Sequence, residues 1–500
     1  METETEVLVV GAGPTGLLLA AELALAGVRT DVVERRTCRQ QDSRALNLHP
    51  RSLELMDQRG LAGRFLAVGR TVPGWQFAAT LKTPLDFSAL ASPHPHALLL
   101  AQSYTEALLE ERARELGARI HRGHEVTGLK QKDDSVEVDL RGPTGPTSVR
   151  AAYAAGCDGA RSLVRRTAGI AFPGTDESFT AMVGDFAAAD HADVDRARRH
   201  GVLVARLEPG LTRFVVMDPE RIRVPSTTPV TPDEFRAALL RVCGTDCGIG
   251  RPTWLSRFGN ATRLAERYRS GRLFLAGDAA HIHFPVGAQG LNTGLQDAMN
   301  LGWKLAAHLR GWAAPGLLDT YHAERHPVGR AVTERTEAQT LLVELPLVER
   351  YHRPATLLCE LLDTLLGLGE VNRYLAGHLS ALDTAYPPAT PAAHPLTGRR
   401  MPDLPLAPPG GRRTRTYELL HDGRFVLLHL SPAHTDFTAP APVTAVTARA
   451  PVQAPDLDGI TEVLIRPDGH VAWATRTTDP RMLHAERTRS LNDWIRPSPG

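Results

Sequence analysis

A glycine-rich turn near the start of the chain carries the residue types that a dinucleotide site needs. Gly11, Gly13 and Gly16 stand at the GxGxxG spacing between a strand pattern and a helical pattern, and Glu34 ends the next predicted strand. Glycine lets the backbone approach a pyrophosphate closely, and the free N–H groups of the following helix start stabilise its negative charge. An acid at the second strand end can bind a ribose hydroxyl. This full context favours an adenine dinucleotide site over a glycine-rich turn of purely structural use.

A second such stretch is GRLFLAGDAAHIHFPVGAQGLNTGLQDAMNLGWKL, residues 271–305. An apolar strand pattern ends at Gly277 and Asp278, a loop rich in Pro and Gly follows, and a helical pattern opens near Gly290 with few competing side chains. An acid at the carboxyl end of a buried parallel strand lies where α/β sheets bind ligands. A bare helix start stabilises a phosphate or the anionic ring of a reduced flavin. For an isolated Gly-Asp pair, the alternative is that Asp278 only caps a short helix.

Hydrophobic periodicity indicates the elements that would position these residues. Residues 6–10 and 30–34 read as strands, residues 17–27 and 105–117 as helices, so the chain begins with a βαβ unit. The helix beyond the second stretch carries an apolar stripe along one side, at Leu291, Leu295, Met299, Gly302, Leu305 and Leu309. Near the end of the chain, two strand patterns flank a turn at residues 467–469.

Composition excludes several classes of protein. The 500 residues carry 57 Lys and Arg against 56 Asp and Glu, a formal net charge of +1 that gives no electrostatic reason to expect a nucleic-acid or membrane partner. We find no uninterrupted apolar run long enough to cross a bilayer, and the acidic start METETEVLVV does not read as an export signal. The five scattered cysteines predict no disulfide framework and fit a reducing cytosol. A cytoplasmic protein with small-molecule partners is therefore expected.

The ordered motifs of the chain resemble those of the class A flavin-dependent aromatic hydroxylases, most closely the bacterial branch that acts on polyketide and antibiotic polycycles. The resemblance runs over most of the chain, and its first motifs are GAGPTG, SRALNLHPRSLELMDQRG and QSYTEALL. It continues with GCDGARSLVRR, the Gly-Asp stretch with its flavin loop FPVGAQG (residues 284–290), and DTYHAERHPVG. The last of these matches a Y-x-x-E-R-x-P segment through Tyr321, Glu324, Arg325 and Pro327. Where many relatives have glycine in the flavin loop, this chain has Ala288, which restricts the backbone.

The resemblance implies a set of FAD-binding residues, with Asp158 and Arg161 also associated with NADPH. In the matching motifs these are Gly11, Gly13, Pro14, Thr15, Gly16, Glu34, Arg35, Arg44, Gln102, Asp158, Gly159, Gly277, Asp278, Pro285, Gly290, Leu291 and Asn292. Within the flavin loop, Pro285, Gly287, Gln289 and Gly290 would lie beside the ring. No catalytic acid or base and no metal site is identified, because in this family the flavin performs the chemistry.

The implied fold is α/β: a Rossmann-like FAD-binding domain of the para-hydroxybenzoate hydroxylase type, a mixed-sheet substrate domain and a C-terminal thioredoxin-like domain. We assign residues 1–71, 101–173 and 269–386 to the FAD-binding domain with its following helices, 72–100 and 174–268 to the substrate domain, 387–410 to a linker and 411–500 to the thioredoxin-like domain. No cysteine lies beyond Cys359, so that last domain cannot perform thiol exchange and is expected to be structural or an interaction surface, for example in a homodimer.

The implied activity is hydroxylation of a polycyclic aromatic substrate with FAD, O2 and NADPH or NADH, through a flavin C4a-hydroperoxide. A Baeyer–Villiger or antibiotic-inactivating oxygenase would share every motif. A plain dehydrogenase would leave the later motifs without a role, and the W-x-W-x-I-P signature of flavin halogenases is not found. A non-enzymatic binding protein is supported only by the C-terminal domain that lacks redox cysteines.

Several other residues have competing interpretations. The aromatics Trp75, Phe77, Phe214, Trp254 and Phe258 would suit a pocket for a flat substrate, although aromatic side chains are more often core. His281 and His283 lack neighbours at metal-ligand spacing, and Cys243 and Cys247 fit buried thiols. Arg165 is interpreted as a solvated partner of Arg161 on one helix face.

Overall fold

The computed structural model describes residues 3–39, 45–187, 191–208, 210–388, 393–408, 412–431, 437, 439–449 and 457–496. Its α-helices are α1 Pro14–Leu25, α2 Pro50–Asp57, α3 Ala62–Val68, α4 Gln102–Glu115, α5 Leu163–Thr167, α6 His191–Arg199, α7 Pro232–Cys243, α8 Gly290–Leu309, α9 Asp319–Glu344, α10 His352–Leu366, α11 Gly369–Ser380 and α12 Pro480–Trp494.

The strands, several of them only two or three residues long, form separate sheets. In chain order they are β1 Glu4–Val10, β2 Thr30–Glu34, β3 Asn47–Leu48, β4 Arg70–Val72, β5 Gly74–Trp75, β6 Leu85–Asp86, β7 Ala97–Leu99, β8 Arg119–Arg122, β9 Glu125–Gln131, β10 Val136–Gly142, β11 Gly145–Gly156, β12 Gly174–Thr175, β13 Thr180–Ala187, β14 Leu203–Glu208, β15 Leu211–Val216, β16 Pro252–Gly259, β17 Thr262–Leu264, β18 Arg269–Ser270, β19 Leu273–Leu275, β20 His281–Ile282, β21 Pro405–Leu406, β22 Thr414–Arg415, β23 Phe425–His429, β24 Val443–Thr447, β25 Glu462–Ile465 and β26 Val471–Thr475.

A largely parallel sheet of order β18-β19-β11-β1-β2-β8 forms the centre of the N-terminal half. The βαβ beginning predicted from the sequence is confirmed, since β1 pairs in parallel with β2 and α1 connects them. β1 and β2 are apolar almost throughout because both faces of the sheet are covered, which is typical of parallel strands. The register places Val10 opposite both Gly156 and Val33, and Gly156 opposite Leu275. The carboxyl ends of β2, β1, β11 and β19 are therefore level with one another.

A second sheet, of order β14-β15-β13-β16, lies in the segment that we assigned to the substrate domain, and all its strand pairs are antiparallel rather than mixed. Its two faces bury different apolar clusters. One face packs Ala181, Val215 and Phe258 toward the flavin loop, and the other packs Met182 and Phe214 against α6 and α7. The short β5–β6 pair, which includes Trp75, contributes to the first cluster.

The C-terminal part forms a four-stranded sheet of order β24-β23-β25-β26, in which β23 and β24 are parallel and the other pairs antiparallel. Both strands predicted around residues 467–469 are confirmed as β25 and β26. Within the segment interpreted as a linker, the described residues contribute β21 and the fully buried Met401, which packs into the core of this C-terminal sheet.

Helix α8 departs from the one-sided stripe expected for it. All residues from Asn292 to Ala307 are buried, because α1 and α2 cover one part of the helix, α9 another, and the C-terminal sheet packs on Trp303 and Ala307. The polar side of α8 thus lies inside the protein, where its side chains need partners.

Those partners form a buried cluster that joins the two halves of the chain. Glu324 on α9 accepts hydrogen bonds from Lys304 Nζ on α8 at 2.7 Å and from Arg466 at 2.7 and 2.9 Å. Arg466 also pairs with Asp468 in the β25–β26 turn, whose carboxylate accepts a bond from Trp303 Nε1 at 3.3 Å. The Glu324 carboxylate, half of the Glu-Arg pair in the Y-x-x-E-R-x-P match, is therefore an interdomain contact.

We predict that Arg466→Met lowers the free energy of unfolding by about 3 kcal/mol or more, because it leaves Glu324 and Asp468 buried with less compensating charge. Urea unfolding followed by circular dichroism measures the loss. The matched control is Arg64→Met, which removes a pair with Glu115 at 2.7 Å whose side chains are 41% and 35% exposed, and should cost less than about 1 kcal/mol. Equal, small losses in both variants would contradict this role of the cluster.

Candidate functional site

The motif residues of the first half meet at one edge of the parallel sheet. The GxGxxG turn follows β1, Glu34 ends β2, Asp158 follows β11, and Gly277 and Asp278 follow β19. Backbone hydrogen bonds of 2.8–3.0 Å hold the first residues after β1, β11 and β19 against neighbouring strand ends. Four loops from four adjacent strands thus form one continuous edge, the position at which open α/β sheets bind ligands.

The three glycines of the turn have different surroundings. A Cβ atom at Gly11, which has φ +106°, would lie 2.4 Å from the Cys157 oxygen, and one at Gly16 would lie 2.0 Å from the Gly11 oxygen. A Cβ atom at Gly13 would meet nothing within 4 Å. Gly13 is also the N-cap of α1 and makes no side-chain cap. Two glycines are therefore required by close packing, while the third leaves the helix start open to an anionic group, as a bound pyrophosphate requires.

Glu34 and Gln102 are both tied to neighbouring backbone. The Glu34 carboxylate accepts hydrogen bonds from the N–H groups of Ala12 and Arg36, both at 3.0 Å, and remains partly exposed, while Arg35 is exposed. The Gln102 Oε1 atom accepts from the Ala45 N–H at 3.2 Å. Arg44 lies outside the described residues, so its predicted contact with FAD stays a prediction.

The Asp158 carboxylate has one bonded and one unbonded oxygen. Its Oδ2 atom accepts from the N–H groups of Leu163 and Val164 at 2.6 and 3.2 Å, which orders the start of α5. Its Oδ1 atom is buried and has no hydrogen-bond partner among the described residues. A buried acceptor of this kind fits a ligand hydroxyl. Beside it, a Cβ atom at Gly159 would meet nothing within 4 Å, and Arg161 is exposed.

The interpretation of Arg165 as a solvated residue was wrong. Its guanidinium is buried over the Phe172 ring, 3.7 Å from the centroid, and donates to the carbonyls of Ala279 and Ala160, both at 2.8 Å. Because Ala279 follows Asp278 directly, Arg165 fixes the loop after β11 against the loop after β19. Sequence alone offered no signal for this, since only the fold brings the two loops together.

Asp297, which the motif analysis did not single out, anchors the Gly-Asp loop. Its Oδ2 atom accepts from the Gly277 N–H at 3.1 Å and from His281 Nε2 at 2.7 Å, and its Oδ1 atom from Arg325 Nε at 2.7 Å. Burial alone would raise the pKa of the Asp297 carboxyl, but the charges of Arg325 and His281 hold that pKa below its ordinary value. The only sequence signal was an acid inside the helical pattern of α8; its pairing with Arg325 depends on how α8 and α9 cross.

Two other residues near this contact had competing interpretations. His281 bonds Asp297, and among the described residues no group of three or more His, Cys, Asp or Glu side chains could hold a metal ion. Asp278 does not cap a helix, because the N-cap of the short 3-10 helix Gly277–Ala279 is Ala276. The Asp278 side chain is instead exposed at the sheet edge.

The flavin loop has a strained backbone held by outside contacts. Gly287 and Ala288 are consecutive left-handed residues, with φ +67° and +54°, a conformation that costs a residue with a Cβ about 1 kcal/mol. His49 Nε2 donates to the Gly287 carbonyl at 2.8 Å, and the Asn292 amide donates to the Ala288 carbonyl at 2.9 Å. Gln289, at the N-cap of α8, makes no cap bond, so the N–H groups of the first turn of α8 remain directed at the loop.

Asn292 and His49 both lie within the sequence motifs, but a role in the site was predicted only for Asn292. The Asn292 Oδ1 atom accepts from the His49 N–H at 2.8 Å and from Ser52 Oγ at 2.7 Å, so this side chain ties α8 to the start of α2. The predicted contact of Asn292 with FAD would therefore be made by its backbone N–H. The sequence signal for His49 was its place in NLHPRS, but its contact with Gly287 depends on the fold.

The predicted aromatic pocket residues separate into two groups. Trp75, Phe77 and Phe258 are partly buried in the cluster that faces the flavin loop. Phe214 does not fit the prediction: it is fully buried on the opposite face, against Phe186 and Phe235. Alternation along β15 causes this, since Phe214 and Val215 must point to opposite sides of the sheet. Trp254 packs over Arg213 rather than in either cluster.

Three aromatic residues that sequence reasoning missed belong to the same loop-facing cluster. Phe284 contacts Phe179 and Phe258 with ring centroids 5.1 and 5.4 Å apart, and Phe87 lies 5.6 Å from the ring of His49. We call the cluster of Trp75, Phe77, Phe87, Phe179, Phe258 and Phe284 the aromatic layer. Phe284 lies within FPVGAQG, so its position beside the loop was the one available signal.

Comparison with known proteins gives matches over nearly the whole chain. Residues 4–336 match the family model for an FAD binding domain, and residues 394–497 match the model for the C-terminal part of aromatic-ring hydroxylases. The anhydrotetracycline monooxygenase of Streptomyces rimosus is 44% identical over 98% of this chain and 99% of its own length. The rifampicin monooxygenase of Streptomyces venezuelae is 44% identical over 94% of this chain and 95% of its own. The solved structure of the anhydrotetracycline hydroxylase from Streptomyces rimosus superposes with a TM-score of 0.87 at 42% identity, covering 99% of both chains.

We predict that His49→Gln flattens the dependence of stability on pH. Burial lowers the pKa of His49 from its ordinary 6.5 to about 4. Between these values the unfolded chain binds a proton that the native chain does not, so the native state loses stability as pH falls from 6.5 to 4. Glutamine keeps an amide donor for the Gly287 carbonyl but does not titrate. The variant should therefore retain up to about 3 kcal/mol of the stability that the unaltered protein loses as pH falls to 4.

Urea unfolding at a series of pH values from 7 to 4 measures this effect. His484→Gln is the matched control, since it makes the same substitution at an exposed position on α12. A His49→Gln profile as steep as that of the unaltered protein would show that His49 does not titrate with folding.

Proposed function

Because this chain belongs to the FAD-dependent aromatic-ring hydroxylases, which are flavoprotein monooxygenases, we propose that it hydroxylates a polycyclic aromatic substrate of the polyketide type, using NADPH or NADH and O2. The observation that carries the proposal is the convergence of four strand-end loops and the start of α8 beside an aromatic layer. No helix among the described residues is long and apolar enough to span a bilayer, and the formal charge is +1. We infer a cytoplasmic enzyme.

The residues of the sheet edge fit an extended FAD. The open Gly13 and the start of α1 suit the pyrophosphate, the strand-end Glu34 with Arg35 suits the adenosine ribose, and the unbonded Asp158 Oδ1 suits a ligand hydroxyl. When bound, FAD accepts a hydride from the nicotinamide and activates O2 for transfer of one oxygen atom to the substrate. We infer that Gly277, Asp278, Pro285, Gly290, Leu291 and Asn292 hold the ribityl chain and the ring.

Two positive features of the chain face the flavin loop. The first-turn N–H groups of α8 form the positive end of a 20-residue helix, and Arg335 NH1 lies 3.5 Å from Gln289 Oε1. Both stabilise negative charge on a ring that lies against this loop. Burial keeps His49 and His283 neutral, with pKa values of about 4, so they do not add charge to the site at neutral pH. This arrangement is preorganised for a flavin that becomes anionic on reduction.

The aromatic layer supplies a site for a flat, apolar substrate and excludes water from the loop. Its partly buried members Trp75, Phe77 and Phe258 and the neighbouring Met217 offer apolar surface. Asp158 and the exposed Arg161 lie with the sheet-edge loops and suit NADPH. The substrate class rests on the relatives that act on anhydrotetracycline and rifampicin. The alternative is an antibiotic-inactivating or Baeyer–Villiger oxygenase of the same family, which would share the motifs and which product structure separates from a hydroxylase.

The C-terminal domain has a topology that supports the thioredoxin-like assignment. A parallel β23–β24 pair followed by antiparallel β25 and β26 and the helix α12 is the order of that fold's core. Because the chain has no cysteine after Cys359, we propose a structural role for this domain. We also propose the domain boundaries expected from the sequence and a homodimer as the assembly.

The function is tested by recording the visible spectrum of the purified protein and its NADPH oxidation across a panel that contains anhydrotetracycline, rifampicin and simple polycyclic phenols. We expect a yellow protein whose NADPH consumption rises with one panel member and whose product gains one oxygen atom by mass spectrometry. A colourless protein that takes up no added FAD would overturn the proposal. A ring-expanded or cleaved product would assign the Baeyer–Villiger or inactivating alternative instead.

We predict that Asp278→Ala weakens FAD binding at least about tenfold, because it removes a carboxylate from the sheet edge beside the α1 and α8 helix starts; this corresponds to about 1.4 kcal/mol. Quenching of flavin fluorescence on titration of the apoprotein gives the affinity. Asp458→Ala removes an exposed aspartate from the C-terminal domain and is the control for the loss of a charge. The same FAD affinity in Asp278→Ala and in the control would remove Asp278 from the site.

A further inference from the structure

Gln339 on α9 forms hydrogen bonds to both the flavin loop and the backbone of the aromatic layer. Its side chain is completely buried. Its Oε1 atom accepts a hydrogen bond from Gln289 Nε2 at 3.0 Å, and its Nε2 atom donates to the Phe77 carbonyl at 2.8 Å. One carboxamide therefore joins the flavin loop, through Gln289, to the backbone of the aromatic layer, through Phe77.

The flavin loop depends on such outside contacts. Gly287 and Ala288 hold consecutive left-handed conformations, which Ala288 does not favour by itself. The loop is fixed at Gly287 by His49, whose ring contacts Trp75 and Phe87 at 6.2 and 5.6 Å, and at Gln289 by Gln339. Both fixing residues thus contact the aromatic layer on their other side.

The residue type at position 339 matters for this connection. A carboxamide holds a hydrogen-bond acceptor and a hydrogen-bond donor in one rigid plane. A displacement of the Phe77 carbonyl therefore moves the whole group, and with it the hydrogen bond to Gln289. Gln289 is the N-cap residue of α8, so the chain of bonds ends at the helix start that faces the loop. An aliphatic residue would fill the space but could form neither hydrogen bond.

We propose that Gln339 is a positioning residue that couples occupation of the aromatic layer at Phe77 to the conformation of the flavin loop, so that bound substrate controls how fast NADPH is consumed. The inference rests on the proposed function. Substrate packed against Trp75 and Phe77 shifts or fixes the Phe77 backbone, and Gln339 transmits this to Gln289 and the start of α8. The consequence is that reducing equivalents are used when a substrate is present to accept the oxygen.

The test compares Gln339→Leu with the unaltered holoenzyme at saturating FAD. The NADPH oxidation rate is measured with and without the panel compound that stimulates the unaltered enzyme. We expect the ratio of the two rates to fall at least about fivefold, the lower end of typical coupling between sites. Hydrogen peroxide released per NADPH should rise in the presence of substrate.

A second readout does not depend on turnover. Substrate binding is followed by quenching of tryptophan fluorescence, and the response of the loop by the change in absorbance of the bound FAD. In Gln339→Leu the fluorescence change should persist while the absorbance change is lost. Thr336→Val is the matched control: Thr336 is buried one turn earlier on α9, and the bonds of its hydroxyl go to carbonyls of its own helix.

Each outcome is decisive. If Gln339→Leu responds to substrate as Thr336→Val does, the coupling role is overturned while the proposed function stands. If no panel compound stimulates the unaltered enzyme, the proposed function fails and the coupling fails with it. If Gln339→Leu does not fold, Gln289→Leu cuts the same chain of bonds at its other member, and retention of the substrate response there would equally overturn the inference.

Discussion

The buried carboxylate of Asp297 is the interaction on which the geometry of the site depends. It receives the Gly277 amide from the loop after β19, the His281 ring from the strand that follows, and the Arg325 guanidinium from α9. One side chain on α8 therefore fixes the sheet edge, the approach to the flavin loop and the long helix behind them. A charge so deeply buried is tolerable only because each oxygen is bonded and a full positive charge lies beside it. Loss of any partner would affect all three elements together.

This constraint explains why α8 is covered on all sides. A helix that carries Asn292, Asp297, Asn300 and Lys304 on its polar side would be solvated if it lay at the surface, and its starting turn would then face water. The C-terminal sheet covers the distal part through Trp303 and through the cluster of Glu324, Arg466 and Asp468. A C-terminal domain without cysteines thus has a physical use, because it keeps water from the polar side of the distal part of α8.

Sequence reasoning predicted the helices and strands that local patterns mark. It missed contacts between segments that are distant in the chain. The βαβ start, α4, the strand before Asp278 and the final strands were predicted because periodicity and turn residues mark them. The motif residues that converge on the sheet edge were predicted through resemblance, and their contacts with cofactor remain predictions. The solvated interpretation of Arg165 and the pocket position of Phe214 were wrong, since burial on a given face depends on which element packs there. Asp297, His49 and Gln339 act through partners 16 to more than 200 residues away, which a single sequence does not specify.

The flavin loop combines strain with neutral supports, and this combination suits a site that must respond to its ligand. Ala288 does not favour its left-handed conformation by itself, so the conformation of the loop depends on His49, Asn292 and Gln339. All three use uncharged donors or acceptors, so they position the loop without adding charge next to the ring. The positive potential comes instead from the first turn of α8 and from Arg335, which contacts the Gln289 side chain. The groups that shape the loop are therefore separate from those that set its electrostatics, and a positive potential beside the loop stabilises a reduced flavin.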